Sequence, residues 1–401
     1  MTVSSDRGLA LLGPAFVASI AYVDPGNVAT DGQAGAQFGY LLVWVVVAAN
    51  LMAAVVQYLS AKLGIVTGRS LTELLGERLR PAVRLAFWAQ AELVALATDL
   101  AEVMGGAIAL GILFRLPLPL GGVITAVVST GLLSVQNRWS QRSFEGVITV
   151  LLAVIAVGFA AGLVVRPPAV GPALDGLLPR LHGSDSLLLA VGILGSTIMP
   201  HVIYLHSALA RDRFGRVREP GSLLVATRYD VGVAMGFAGS VNLVMLLVAA
   251  TALYGQPGAD SILGVHGAMQ GSLGNQVATL FAVGLLASGI ASSAVGGYAG
   301  ATVMDGLLHY RVPILARRAL TALPAVALLA VGVDPDQALL WSQVILSFGI
   351  PFALVPLIVL AARRQLMGRW VNRLGLTMLA SAVAAVVIAL NLALIWSTVT
   401  N

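Results

Sequence analysis

The sequence contains no cysteine, and charged residues make up only 10% of its 401 positions. The absence of cysteine excludes disulfide bonds, thiolate metal sites and cysteine nucleophiles. Soluble proteins carry about 25% charged residues, and this chain has no long polar run that would form a separate soluble domain. It also lacks a His-Glu-x-x-His motif and a nucleotide-binding motif. These absences argue against a membrane metalloprotease and against nucleotides as the energy source, and nothing in the sequence points to a nucleic-acid partner.

Hydrophobic residues dominate the chain, at 58% of all positions with a mean hydropathy of +0.92. We therefore predict an all-α, polytopic integral membrane protein, with 1–401 forming a single membrane domain. Eleven apolar runs are candidates for crossing a bilayer. They lie at 8–36, 41–63, 85–113, 118–133, 146–165, 187–209, 229–253, 277–304, 314–331, 338–360 and 376–399.

The distribution of positive charge predicts the orientation in the lipid bilayer. If the N-terminus is cytoplasmic, the 23 Lys and Arg residues all fall on the cytoplasmic side except Arg115, Arg166 and Arg180. Adding or removing one span would invert every later loop and destroy this bias. The charges and an odd number of spans thus predict a multi-pass protein with the C-terminus outside. Chain length and the lack of targeting features predict a bacterial inner (cytoplasmic) membrane.

The first apolar run is interrupted by Ala21-Tyr22-Val23-Asp24-Pro25-Gly26-Asn27. A carboxylate near the bilayer midplane costs about 2.5–3.5 kcal/mol, and the Pro-Gly pair beside it weakens the helix. A surface turn is the alternative, because these are turn residues. Since the run from 8 to 36 has the length of one span, we favour a broken membrane helix whose freed carbonyls and polar side chains bind a cation.

A second interruption, Gly195-Ser196-Thr197-Ile198-Met199-Pro200-His201, falls in the sixth run. Taken alone it also fits a proline-kinked helix with a packing methionine. Its position favours the other interpretation, because the breaks occupy the first span of two successive sets of five. We predict one inverted repeat over 8–165, a second over 187–361, and an additional eleventh helix at 372–399.

These stretches resemble the Nramp family of proton-coupled divalent metal transporters. The resemblance rests on Ala-Tyr-Val-Asp-Pro-Gly-Asn at 21–27, Thr-Ile-Met-Pro-His at 197–201 with Tyr204-Leu205-His206-Ser207, and the stretch from Ser342 to Phe352. It implies a LeuT-type fold of two inverted five-helix repeats with broken first and sixth helices.

The resemblance also implies a set of metal ligands. Those implied are Asp24, Asn27, Met199 and the carbonyl of Ala21, joined in some conformations by Gln343 and by a carbonyl or water near Ser196. The family commonly has alanine at position 196. A hydroxyl there adds a possible water-mediated ligand and puts coordination by the carbonyl alone in doubt.

The chemistry of these ligands indicates which metals they suit. A carboxylate, an amide oxygen and carbonyls are hard ligands, whereas the thioether of Met199 suits softer ions. The mixture favours manganese(II), iron(II), cobalt(II) and cadmium over calcium. The metal is then the transported substrate and the proton the coupling ion, and we expect no cofactor.

Metal binding at Asp24 would expel a proton, because burial favours the neutral carboxyl. Asp99 and Glu102, three residues apart on the third span, offer the proton a route. A structural salt bridge between helices explains this pair equally well. We expect His201 to pair with Glu102, and Arg317 or Arg318 to pair with Asp99; the resemblance favours a relay through Asp99, Glu102 and the two arginines.

Three further polar residues are candidate gate residues, with helix packing as the alternative: Tyr22, Gln57 and His206. The sequence as a whole predicts a proton-coupled symporter that imports divalent transition metals by alternating access, with no obligate protein partner. A magnesium-preferring relative, an amino-acid symporter of the same architecture and a passive channel remain alternatives.

Overall fold

The computed structural model describes residues 13–136, 141–215, 219–256, 258, 261–310 and 312–400. All regular secondary structure in these residues is helical. The predicted beginning of the first span at residue 8 lies outside the described residues. The described helices of the first half are α1 (Pro14–Ala21), α2 (Pro25–Phe38), α3 (Val43–Thr67), α4 (Leu71–Arg78), α5 (Pro81–Phe114), α6 (Leu118–Gln136), α7 (Gln141–Val165) and α8 (Val170–Asp175).

The second half repeats this pattern of a broken helix followed by long ones. Its helices are α9 (Gly183–Thr197), α10 (Pro200–Phe214), α11 (Gly221–Ala252), α12 (Ile262–Leu273), α13 (Asn275–Leu308), α14 (Ile314–Val331), α15 (Pro335–Ala361), α16 (Arg364–Met367) and α17 (Leu374–Thr400), with a 3₁₀ turn at Gly368–Trp370.

Each predicted span corresponds to a helix or a broken helix pair. Seven helical segments are long and apolar enough to cross a membrane, with α9 and α10 counted as one segment, and α6 and α7 contain shorter apolar stretches. The remaining two spans are the α1/α2 pair and α14, which carries Arg317 and Arg318. The prediction of eleven spanning helices with the first and sixth broken is confirmed.

Two helices begin earlier than hydropathy predicts, because an arginine near the start of each, Arg84 and Arg228, interrupts the apolar run. The third span begins at Pro81 instead of 85, and the seventh at Gly221 instead of 229. The short helices α4, α8, α12 and α16 were not predicted. A local signal exists for α4, since Ser70 and Glu73 form a capping box in which the Ser70 hydroxyl accepts from the Glu73 N–H and the Glu73 carboxylate accepts from the Ser70 N–H.

Proline starts the second half of each broken helix. Pro25 is the first residue of α2, after Asp24 as N-cap, and Pro200 is the first residue of α10, after Met199. Proline fits this position because its ring pre-sets the helical φ and its missing N–H would have no partner there. The same missing N–H ends the preceding hydrogen-bond ladder, so two helices form where hydropathy alone indicates one.

The broken helices lie at the centre of the molecule. The pair α1/α2 packs against α11, and α2 also contacts α5, α9 and α15, while α10 packs against α3, α13 and α15. Around this centre, α5 packs along α13. This packing places both breaks inside the bundle.

One residue of α15, Gln343, lies against both broken helices. A Cβ atom on Gly26 would collide with the Gln343 side chain, and a Cβ atom on Gly195 would collide with the Gln343 backbone carbonyl. Glycine at these two positions lets α2 and α9 approach α15 this closely.

Candidate metal-binding site

The first break is organised by the Asp24 side chain. Its Oδ1 accepts a hydrogen bond from the Asn27 backbone N–H at 2.8 Å and lies 3.0 Å from Asn27 Nδ2. Its Oδ2 is buried and has no hydrogen-bond partner within the described part of the chain. Because a buried carboxylate oxygen without a partner is costly, this atom is available to a cation or a proton.

Asn27 joins the two breaks. Its Nδ2 amide donates to the Tyr22 carbonyl at 2.9 Å and to the Ser196 carbonyl at 3.0 Å. Its Oδ1 lies 3.5 Å from the hydroxyl of Thr197, also in the second break. The sequence-predicted ligands Asp24, Asn27 and Ser196 are therefore brought together.

Two carbonyls are freed by the prolines. In an α-helix the N–H of residue i+4 donates to the carbonyl of residue i, and proline has no N–H to donate. Pro25 is four residues after Ala21, and Pro200 is four residues after Ser196. In each break a proline thus leaves one carbonyl, that of Ala21 or of Ser196, without its helical hydrogen-bond donor.

The Ser196 hydroxyl is engaged within its own helix. Its Oγ donates to the Ile193 carbonyl at 3.0 Å and lies 3.4 Å from the Thr30 hydroxyl. It is the Ser196 carbonyl, through Asn27, that takes part in the contact between the breaks. In this conformation the Ser196 carbonyl, and not its hydroxyl, remains the candidate oxygen ligand.

Met199 and Gln343 complete the candidate ligands. Met199 is fully buried at the N-cap of α10. The Gln343 Nε2 amide donates to the Ser342 hydroxyl at 2.9 Å, and its Oε1 is buried without a partner in the residues described. Gln343 Oε1, the atom of this side chain that could bind a metal, is therefore not occupied by a hydrogen bond.

The arrangement offers oxygen ligands, one thioether and a single carboxylate. Among the residues the structure describes, no group of three or more His, Cys, Asp or Glu side chains could hold a metal. A cation here would depend on mixed side-chain and backbone ligands. With one carboxylate, a divalent ion keeps a net positive charge, which suits reversible binding better than a structural cage.

The predicted proton residues form two ion pairs between α5 and α14. Arg318 pairs with Asp99 and also contacts the hydroxyl of Ser293. Arg317 pairs with Glu92 instead, with Nη2 2.9 and 3.2 Å from its two carboxylate oxygens. Of the two arginines expected for Asp99, Arg318 is therefore the partner.

Glu102 and His201 do not pair as we expected. His201 Nδ1 lies 3.3 Å from the Thr98 hydroxyl, whereas Glu102 Oε2 lies 4.0 Å from Arg318 Nη1. The predicted Glu102–His201 bond is wrong in this conformation, because the imidazole lies against Thr98, one helical turn before Glu102, and its free nitrogen does not reach the carboxylate. The His201 Nε2 has no partner within the described residues.

The three candidate gate residues form one chain of hydrogen bonds. Gln57 Nε2 donates to the Tyr22 hydroxyl, and Gln57 Oε1 accepts from His206 Nδ1 at 2.8 Å. All three side chains are buried. The chain links α3 and α10 to the residue that directly follows α1, beside the candidate metal ligands.

Two polar residues that the sequence analysis missed hold the carbonyls of the first break. Asn242 of α11 donates to the Tyr22 carbonyl at 2.9 Å, and Ser288 of α13 donates to the Val23 carbonyl at 2.5 Å. The available signal was a lone amide and a lone hydroxyl within apolar spans, which is too common to single them out.

Cavities lie on either side of the site. One of about 560 Å³ is lined by residues that include Glu73, Arg211, Asp305 and Arg317, and one of about 320 Å³ by Gln33, Gln37, Asp185 and Asp334 among others. Asp24, Asn27 and Met199 are at most 1% exposed and line neither. The described conformation is therefore occluded at the site.

Comparisons with known proteins agree with this architecture. The model of the family described as "Natural resistance-associated macrophage protein-like" (Nramp) matches residues 15–397. A divalent metal cation transporter, MntH, from Mycobacterium tuberculosis is 58% identical over 98% of this chain and 92% of its own length. The crystal structure of a manganese transporter from Eremococcus coleocola is 30% identical, covers 98% of this chain and 87% of its own, and superposes with a TM-score of 0.88.

A more distant structural match supports the fold alone. Mhp1, a nucleobase-cation-symport-1 family transporter, is 17% identical and covers 96% of this chain and 92% of its own, with a TM-score of 0.62. These matches include LeuT-fold transporters and agree with the predicted fold class. The family and its close relatives are transporters and not enzymes, and with the family match extending over nearly the whole sequence, this chain belongs to the Nramp family of membrane transporters.

Proposed function

We propose that this chain is a proton-coupled symporter that imports divalent transition metal ions, chiefly manganese(II) and iron(II) and also cadmium and cobalt. The observation that carries the proposal is the bond from Asn27 to the Ser196 carbonyl, which joins two proline-broken helices beside an unpartnered oxygen of Asp24. The divalent metal named for the relatives supports the substrate class.

The proposed ligands are Asp24, Asn27, Met199, the carbonyls of Ala21 and Ser196, and Gln343. Hard oxygens supply most of the coordination, and the thioether discriminates against calcium and magnesium, which gain little from sulfur. The metal is the cargo, and the proposal includes no resident cofactor and no protein partner.

The proton would leave Asp24 when metal binds and reach the cytoplasm through Glu102, Asp99 and Arg318, with His201, Glu92 and Arg317 nearby. A separate route is needed because a symporter must not return the proton outside. The ion pair of Asp99 with Arg318 provides charged groups along α5 and α14, away from the gate residues of α3 and α10.

We place the N-terminus in the cytoplasm and the C-terminus outside an inner membrane, on the basis of the positive-inside bias. In this orientation an inside-negative potential favours inward cation flow by about 2.3 kcal/mol per charge per 100 mV. The larger cavity, with Glu73 and Arg211, then opens inward, and the smaller, with Gln33 and Asp185, opens outward.

The test is metal uptake into proteoliposomes that contain a divalent-sensitive dye, with and without an inward proton gradient. Wild type, Asp24→Ala and the control Asp175→Asn, an exposed carboxylate outside the spans, would be compared for manganese, magnesium and calcium. We expect gradient-enhanced manganese uptake that requires Asp24 and not Asp175. Equal magnesium uptake would indicate a magnesium-preferring relative, and no metal uptake under any gradient would redirect the search to organic substrates such as amino acids.

A further inference from the structure

An open groove runs between α3 and α11. It has a volume of about 360 Å³ and is lined by Val47, Leu51 and Ala54 of α3 and by residues of α11 that include Gly232 and Gly236. Leu51 is 67% exposed, and a Cβ atom on either glycine would meet no atom within 4 Å. The groove is therefore apolar and open to its surroundings, which for a membrane-spanning bundle are the acyl chains of lipids.

One end of the groove continues to two polar side chains, Tyr58 and Arg228. Tyr58 follows Ala54 by four residues on α3, and Arg228 precedes Gly232 by four residues on α11. Each of them therefore lies on the groove side of its helix. The Arg228 guanidinium lies 5.4 Å from the centroid of the Tyr58 ring, and this contact holds it at the end of the groove.

The charge at this end is positive, and no carboxylate balances it. Arg228 forms no hydrogen bond or ion pair within the described residues, and it lies near enough to Lys62 for the two charges to repel. Lys62 is one turn beyond Tyr58 and 6% exposed. Its Nζ donates to a neutral oxygen, Asn372 Oδ1, at 2.7 Å.

The neighbouring polar groups do not supply the missing negative charge. Asp230 accepts hydrogen bonds from the first residues of α1, and Glu219 pairs with Arg369 at 2.6 Å. Asn372 adds a donor to this region, because its Nδ2 is buried without a partner in the part of the chain described. The end of the groove is therefore suited to an anion.

From these observations we infer that the groove binds one anionic phospholipid, with its phosphate at Arg228 and an acyl chain along Gly232 and Gly236. A guanidinium matches phosphate with two parallel hydrogen bonds, and the charge of Lys62 adds to the attraction. Basic pockets between membrane helices are typical binding sites for anionic headgroups.

The length of the groove fits a lipid of one leaflet. From Val47 to Tyr58, α3 rises by about 17 Å at about 1.5 Å per residue, which is about half of a hydrocarbon core of about 30 Å. Arg228 lies at the end of the bundle that we place in the cytoplasm, so the lipid would belong to the inner leaflet. The inference uses this orientation and does not depend on the transport function.

Native mass spectrometry of the purified protein tests the inference, with phosphatidylglycerol or phosphatidylcholine added at equal concentration. We expect wild type to bind phosphatidylglycerol in preference, and Arg228→Gln to bind it at least about 5-fold more weakly. Gly236→Leu should weaken binding comparably, because its side chain fills the groove and leaves the charges unchanged. It should fold, since a Cβ atom there has open space and leucine favours a helix more than glycine does.

Two matched variants control for charge in general. Arg228→Lys keeps the charge and should retain most of the binding. Arg69→Gln removes an exposed arginine, paired with Glu77, from the same side of the membrane and should change nothing. Equal phosphatidylglycerol binding by wild type, Arg228→Gln and Gly236→Leu overturns the inference, and so does equal binding of the two lipids by wild type.

Two further measurements separate the lipid from other occupants. Glycerol 3-phosphate carries the phosphate without acyl chains, so it should not displace phosphatidylglycerol at equal concentration. Displacement would indicate a site for free phosphate and overturn the lipid assignment. The mass of the lipid-free protein tests a second copy of the chain as occupant. A wild-type dimer that Gly236→Leu converts to a monomer would make the groove an interface between copies and would also overturn it.

Discussion

The side-chain amide of Asn27 donates a hydrogen bond to the backbone carbonyl of Ser196, 3.0 Å away and 169 positions later in the chain. Pro200 has no N–H to donate to that carbonyl, so the Asn27 amide supplies the hydrogen bond that a continuous helix would have made. One side chain thereby connects the two breaks by hydrogen bonds.

Removing this connection should impair transport more than folding. In Asn27→Ala we expect the rate of manganese uptake to fall by at least about 10-fold, which corresponds to about 1.4 kcal/mol. Uptake in proteoliposomes measures the effect. Asn50→Ala is the control, because the Asn50 amide bonds to the Val46 carbonyl of its own helix; an equal loss of uptake there would remove the specific role of Asn27.

Replacing Met199 should change which metals are accepted. Met199→Ala removes the thioether and leaves the hard oxygen ligands, so we expect manganese uptake to continue and calcium or magnesium to enter as well. Competition between manganese and calcium measures the change. Met104→Ala, at a fully buried methionine of α5, controls for lost volume, and unchanged exclusion of calcium in Met199→Ala contradicts the prediction.

Substituting Asp99 tests whether its ion pair carries protons. Asp99→Asn leaves Arg318 as a buried charge with a neutral partner, which we expect to destabilise the fold by about 3–5 kcal/mol. Adding Arg318→Gln should recover part of the thermal stability, because it removes the guanidinium that has lost Asp99. Glu102, which lies 4.0 Å from Arg318, limits the recovery. We expect proton entry, followed with a pH dye, to stay slower than metal entry in the double variant. Recovery of proton entry along with stability would indicate a purely structural pair.

Asp230 of α11 fastens the first residues of α1. Its two carboxylate oxygens accept from the Gly13 N–H at 3.2 Å and the Ala15 N–H at 3.1 Å. Asp230→Ala removes this cap, which is worth about 1–2 kcal/mol, and should let α1 move more readily.

The natural absence of cysteine makes that movement measurable. Ser19→Cys introduces a single thiol at a buried position of α1, and its labelling rate should rise in the Asp230→Ala background. Asp305→Ala, near the C-terminal end of α13, serves as the comparison. An unchanged rate with Asp230→Ala would show that the cap does not restrain α1.

The spans and both breaks could be predicted because they depend on local chemistry. Twenty apolar residues define a span wherever they occur, and Pro25 and Pro200 break a helix regardless of neighbours. The partner of a buried polar group depends on how helices meet. His201 was therefore assigned to Glu102, although Thr98 on the same helix lies against the ring.

The two arginines of α14 also have partners that the sequence alone does not predict. Arg317 and Arg318 are adjacent in sequence, so their side chains point about 100° apart on the helix. Only one of them can therefore face Asp99. The sequence leaves the choice open, and the packing of α14 against α5 decides it by directing Arg317 to Glu92.

Gln343 lies against a glycine of each broken helix, Gly26 and Gly195, and neither contact has room for a methyl group. The occluded shape is therefore sensitive to a single added carbon at either glycine. Gly195→Ala should disfavour it and enrich conformations in which α15 has withdrawn. Such a variant would be a simple tool for trapping the open states for crystallography or for selecting conformation-specific binders.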